Sequence, residues 1–217
     1  MARNKYPEIT RFNILESAVR LFTINGWDNV TIQDIVDDVG DITRGAFYHH
    51  FKSKADLIDA VTAEFFSENK SFENQQKSEN LTAIERLRKG LSFSLNNHVE
   101  HGKIIRIPHM INSPEFILCM VNDGVHVIAP DILKLILAGN RDGSMKVAYP
   151  KQAAETFTLL LNLWTNPSIF QVSKEEYMQK IEHINLILSG IGIPFVNDEV
   201  RVTFEKYYDS IQDSSKK

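Results

Sequence analysis

Helical periodicity constrains this chain more than any other feature. Apolar residues recur at i, i+3, i+4 and i+7 in one segment after another, and no convincing apolar–polar alternation of a strand interrupts them. The first segment, from about Glu8 to Thr23, carries Leu15, Ala18, Val19 and Phe22 on one face and stops at Asn25-Gly26. Thr31 opens a second helix as its N-cap, with Asp34 three residues on as the capping-box partner. Ile32, Ile35, Val36 and Val39 form its buried stripe, and Gly40 ends it. A third short helix starts at the cap Thr43 and cannot pass far beyond Phe51, because Ser53 with Asp56 signals a new N-terminus. The fourth then carries Leu57, Ile58, Val61, Phe65 and Phe66.

The polar stretch SENKSFENQQKSEN (67–80) marks a boundary. Beyond it, Leu81, Ile84, Leu87, Leu91, Leu95 and Val99 predict a long amphipathic helix. Pro108 and Pro114 then predict a turn between short helices. Pro130 reads as a helix start, Ala153, Ala154, Phe157, Leu160, Leu161 and Trp164 as the next apolar face, and Met178, Ile181, Ile184 and Leu188 as another. A last helix is expected over about 197–212. The expected fold is all-α, with nine or ten helices: a small N-terminal helix-turn-helix domain at 8–68 and a larger C-terminal helical bundle at 78–212.

Composition narrows the function. The chain has 217 residues, 43% hydrophobic and 24% charged, as in a soluble globular protein. MARNKYPEITRF lacks the apolar core of a signal peptide, and no apolar run reaches transmembrane length. One cysteine, Cys119, excludes an intrachain disulfide framework and fits a reducing cytosol. A cytoplasmic protein with no membrane partner is therefore expected. There is no P-loop, GxGxxG, HExxH or paired-cysteine motif, so no cofactor is called. His98, Glu100 and His101, with His109 and His126 elsewhere, lack a recognised ligand spacing, so no metal is called either.

The stretch TRGAFYHHFKSKADL (43–57) packs two histidines, three aromatics and three cations with a single acid into a chain whose formal charge is −4. Two helices joined by a short glycine-containing turn have the form of a helix-turn-helix. Thr43, Arg44, Gly45 and Ala46, at the start of the second of these, are compact or long and polar, as base edges require. Arg44 can donate two parallel hydrogen bonds to guanine. Gly45 admits close approach of the duplex. Phe47 and Phe51, four apart, share the inward face, which leaves Tyr48 and His49 outward, within reach of phosphate oxygens. Lys54 adds a cation at the next helix start, and Thr31 is a cap that can also touch phosphate. Candidate DNA-binding residues are thus Thr31, Thr43, Arg44, Gly45, Tyr48, His49 and Lys54.

The residues ILESAVRLFTINGWDNVTIQDIVDDVG and TRGAFYHHFKSKADLIDAV resemble the DNA-binding domain of the tetracycline-repressor (TetR/AcrR) family of bacterial transcription regulators. The resemblance runs from Ile9 to Phe66, somewhat over a quarter of the chain. It implies binding to double-stranded DNA at a palindromic operator, a homodimer through the C-terminal helices, and release by a small-molecule effector. The family joins the two helices as glycine, an aliphatic residue, then serine or threonine. Here the turn reads Gly40-Asp41-Ile42-Thr43, one residue longer, with Ile42 as the aliphatic plug and Asp41 as the insertion.

Charge gives a mixed check. Residues 1–60 hold seven Lys/Arg against nine Asp/Glu, a net of −2, yet residues 42–55 contain Arg44, Lys52 and Lys54 and no acid. Phosphate contact depends on cations at the interface rather than on the average. Asp34, Asp37, Asp38 and Asp41 are expected to face away. In the C-terminal bundle, Phe157, Leu160, Leu161, Trp164, Ile181, Ile184 and Leu188 are ordinary core at face value. The resemblance makes the helices that carry them the dimer bundle. Phe93, His98, Met110, Phe116, Met120, Phe157 and Trp164 are the candidate ligand-binding residues, apolar walls with a few polar handles. The reading is a dimeric, ligand-responsive repressor and not an enzyme. Its rivals are a helical enzyme or ligand carrier without DNA binding, and a DNA-binding protein without an effector.

Overall fold

The computed structural model describes residues 7–67, 80–100, 114–167 and 169–214. Among these residues the regular structure is helical throughout. It comprises α1 (Pro7–Asn25), α2 (Ile32–Val39), α3 (Arg44–His50), α4 (Lys54–Ser67), α5 (Ala83–Glu100), α6 (Pro114–Asp123), α7 (Ala129–Asp142), α8 (Pro150–Leu159), α9 (Lys174–Gly190) and α10 (Asp198–Ser214). A π-helical turn, Gly124–Ile128, joins α6 to α7, and a second, Leu160–Trp164, ends α8.

The helices fall into two compact units. The first holds described residues 7–65 together with 114–119; the second holds 80–100 and 120–214. The start of α6 thus belongs with the N-terminal helices, where Cys119 Sγ donates to Asp59 Oδ1 at 3.1 Å.

In the first unit, Ile14, Leu15, Ala18 and Phe22 of α1, Ile35 and Val36 of α2, Phe47 and Phe51, and Leu57, Ile58 and Val61 of α4 are all buried. Each fully buried Phe, Leu or Ile contributes about 1.5–3 kcal/mol, so the fixed points of α3 are its two phenylalanines. In the second unit α9 buries Tyr177, Ile181, Ile184 and Leu188, a stripe at the four-three-four spacing of one helix face. The stripe packs with Ile132 and Ile136 of α7, Ala154 and Phe157 of α8, and Val200, Phe204 and Tyr208 of α10.

Two expectations change. Pro130 stands at the second position of α7, as expected of a helix start, but α7 is not a separate helix: it continues α6 and the π-turn as one rod, Phe116–Asp142. The Pro130 ring lacks an N–H and crowds the carbonyl of His126. The preceding π-turn, in which Ala129 N–H donates to Gly124 O, takes up that misfit. The same rod is long and apolar enough to cross a membrane by length and composition, with mean hydropathy 1.5 over its most apolar 18 residues. The expectation that no such run exists is corrected to that extent. Ala129, Ile132, Leu135 and Ile136 within it are nevertheless buried in the core of the second unit.

Candidate nucleic-acid interface

The site is built from two helix caps and the turn between them. At α2, Thr31 N–H donates to Asp34 Oδ2 at 2.7 Å and Thr31 Oγ1 donates to the same oxygen at 2.8 Å, while Asp34 N–H donates back to Thr31 Oγ1 at 3.2 Å. These bonds from the Thr31 backbone and side chain hold the Asp34 carboxyl below the usual aspartate range. The α2 helix ends at Gly40, whose φ of 82° lies in the region that only glycine adopts cheaply. Ile42 is half-buried, as a plug should be, and Asp41 is exposed.

Thr43 then caps α3, its Oγ1 accepting from Ala46 N–H at 3.2 Å. Ala46 has no carboxylate to return the bond, so the hydroxyl hydrogen of Thr43 is not taken up inside the fold. Phe47 is buried and Phe51 closes the helix, also buried. Arg44 and Tyr48 lie four apart on the opposite face, with Gly45 and His49 beside them, and all four are exposed. Tyr48 is 47% exposed, its ring edge-on to Phe47 at 5.6 Å. None of the side chains of Arg44, Tyr48 and His49 makes a hydrogen bond or ion pair among the described residues. A Cβ on Gly45 would meet only Thr43 Oγ1, at an ordinary 3.6 Å, so internal packing does not call for glycine there.

The acids differ in their partners. Asp34 is held by Thr31. Asp37 accepts from Gln33 at 2.7 Å, and Asp38 accepts from Arg20 and Ser17 of α1. Arg20 first and then Ser17 hold the Asp38 carboxyl below its ordinary range. Asp41 has no such partner among the described residues. Behind the face, Arg11 lies 5.4 Å over the Phe51 ring. His50 is half-buried; burial, then the neighbouring His49 and Arg11 charges, push it below the usual histidine range.

Lys54 stands apart from the other candidates. Its ammonium turns inward, donates to the Trp27 carbonyl and lies 4.1 Å over the Trp27 ring. The hydroxyl proton of Thr31 is likewise committed, to Asp34. Sequence reasoning missed the Lys54–Trp27 pairing, and no local signal joins residues 27 positions apart.

The candidate ligand residues meet three different surroundings. Phe93 is 39% exposed on α5, Phe157 is buried edge-on to Phe195 at 4.9 Å, and Trp164 is half-buried with Lys180 Nζ 5.4 Å over its ring. Phe116 and Met120 are buried, the first in the N-terminal unit and the second in the other. The His98 side chain and Met110 lie outside the described residues. Of the residues on the helices expected to form the dimer bundle, Phe157, Leu161, Ile181, Ile184 and Leu188 are consumed by the protomer's own core. Leu186, 71% exposed, is the apolar side chain α9 turns outward.

Residues 14–61 match the family described as bacterial regulatory proteins, tetR family. The repressor KstR2 of Mycolicibacterium smegmatis is 37% identical over 59 residues, 27% of this chain and 28% of that protein. The match therefore spans little more than a quarter of the relative's length. Among solved structures, SmeT, the repressor of the Stenotrophomonas maltophilia multidrug efflux pump SmeDEF, superposes with a TM-score of 0.64 at 19% identity, covering 90% of this chain and 95% of SmeT. RolR in complex with resorcinol gives 0.57 at 19%, covering 93% and 96%. At these identities the structural likeness establishes the fold. The sequence match is confined to the N-terminal segment, where residues 14–61 are similar to the tetR family of bacterial regulatory proteins.

Proposed function

We propose that the protein is a transcriptional repressor that binds operator DNA through α3 and leaves it when a small molecule binds the C-terminal bundle. The observation that carries this reading is the outer face of α3. Arg44, Tyr48 and His49 spend none of their hydrogen-bonding capacity inside the fold, and Gly45 accepts the helix cost of glycine, about 1 kcal/mol, with no internal return. A groove-docked helix explains both, since its N-terminal residues meet base edges and a bare backbone permits close approach. Arg44 reads guanine, Tyr48 and His49 hold phosphates, and Thr43 has a hydroxyl hydrogen to give.

The likeness to SmeT and to resorcinol-bound RolR supports the repressor and effector parts of the reading. A homodimer supplies two copies of α3 for half-sites about 34–36 Å apart. Its interface draws on outward groups of α9 such as Leu186 and His183 rather than on the buried stripe. The effector works only through different affinities for the DNA-bound and released states, each tenfold change in DNA affinity requiring about 1.4 kcal/mol of coupling.

A mobility-shift assay with DNA flanking the gene tests the interface. Wild type binds with sequence preference, and Arg44→Ala combined with Tyr48→Ala loses it. Specific binding that survives the double substitution removes α3 from the assignment.

A further inference from the structure

Lys54 opens α4, three residues after Phe51, the C-cap of α3, and has the sequence position of a free phosphate-binding cation. Its surroundings are different. The ammonium donates to the Trp27 carbonyl and stands 4.1 Å from the centroid of the Trp27 ring and 5.9 Å from that of Phe22. Those rings are themselves packed edge to face at 4.7 Å, with Phe22 fully buried and Trp27 nearly so. The Trp27 carbonyl also accepts from Val30 N–H at 3.4 Å, in the loop that delivers Thr31 to the start of α2. The Lys54 charge is felt at the α2 cap: after the Thr31 hydrogen bonds, it too lowers the Asp34 carboxyl.

On its own side, Lys54 follows a rigid start. Lys52 N–H donates to Asp56 Oδ2 at 2.8 Å and Asp56 N–H donates to Ser53 Oγ at 3.0 Å. One cation therefore ties the segment that leaves α3 to the loop that leads into α2. A half-buried ammonium over two aromatic faces, with a carbonyl acceptor, is already solvated by the protein. Swinging out to a hydrated phosphate would give up the Trp27 carbonyl and both ring faces for one screened contact.

We propose that Lys54 is a positioning residue for DNA recognition and not a phosphate contact: its ammonium locks the α1–α2 loop to the start of α4 and thereby sets the placement of α3. This inference rests on the DNA-binding reading above, and two measurements keep the two apart.

The variants are Lys54→Met, which keeps an unbranched stem without charge or donors, and Lys54→Arg, which keeps both. The first measurement is affinity for the gene-flanking DNA across a potassium chloride series; the second is the indole N–H resonance of Trp27 in the free, ¹⁵N-tryptophan-labelled full-length protein. Lys54→Met is expected to bind at least about tenfold more weakly at every salt concentration, with the slope of log affinity against log salt unchanged. Its Trp27 resonance moves while that of Trp164 stays, and Lys54→Arg recovers affinity and the Trp27 position together. A slope shallower by about 0.9 per bound copy, with Trp27 unmoved, makes Lys54 a phosphate contact and overturns the proposal. Should Lys54→Met fail to fold, the arginine variant decides: full affinity with a displaced Trp27 resonance also overturns it. Wild type that binds no DNA fails the functional reading instead, and the Trp27 resonance still reports whether the clamp exists.

Discussion

Thr31 and Thr43 cap consecutive helices from nearly the same backbone conformation, φ −97° and ψ 162° for one, φ −103° and ψ 162° for the other. They end in opposite chemical states. At α2 the residue three places on is Asp34, whose carboxylate takes both the N–H and the O–H of Thr31 and closes the helix start with an internal anion. At α3 the corresponding residue is Ala46, which returns nothing, so that end keeps a hydroxyl hydrogen and the positive end of its peptide dipoles for an outside partner. A single side chain three residues downstream thus separates a cap that serves only the fold from one that also suits an interface.

The largest effect expected from this contrast comes from Thr43→Asp. Aspartate caps as well as threonine, so thermal stability holds, while a carboxylate set against phosphate lowers DNA affinity roughly tenfold to hundredfold by fluorescence anisotropy at fixed salt. Undiminished binding would mean that the α3 start does not face DNA. Next comes Thr31→Ala, which costs about 1 kcal/mol in urea unfolding, typical for losing a cap. DNA affinity of the folded fraction stays within about twofold, and a larger loss would show that Thr31 does more than cap.

Gly45→Ala should move the two readouts in opposite directions. An added methyl meets no close contact and raises helix propensity, for a gain of about 0.5–1 kcal/mol in stability, while DNA binding weakens. Stability gained with binding intact would leave the glycine without a reason. The smallest effect is pH dependence. Folding lowers the Asp34 carboxyl below its unfolded value. Its contribution is therefore complete above the ordinary aspartate range, near pH 3.9, and fades as pH falls below it. Asp34→Asn should flatten the acid limb of the stability–pH curve relative to wild type, whereas Thr43→Ala, with no carboxyl in its cap, should lower that curve without changing its slope.

Asp41 belongs to the same comparison. It is the one acid of α2 and the following turn left without an internal partner, and it lies in the extra residue between the two caps. Asp34 and Asp37 accept hydrogen bonds from the uncharged Thr31 and Gln33, and Asp38 accepts from Ser17 and is ion-paired with Arg20.

Sequence alone determined the features that are settled within one helical turn. The Thr31–Asp34 box, the glycine stop at Gly40, the cap at Thr43 and the new start at Ser53–Asp56 are all read from residues three or four apart, because cap hydrogen bonds close over that distance. It also determined which side of α3 is buried, since Phe47 and Phe51 leave one orientation for a seven-residue helix. Tertiary structure decided the rest. It turned Lys54 inward onto a ring 27 residues away, drew the start of α6 into the first unit, and carried a helix through Pro130 by way of a π-turn. It also spent Ile181, Ile184 and Leu188 on the protomer's own core through α10, a helix whose pairing with α9 no local pattern announces. An apolar stripe specifies that a helix face will be covered; which neighbour covers it depends on contacts between distant residues, and those exist only once the chain has folded.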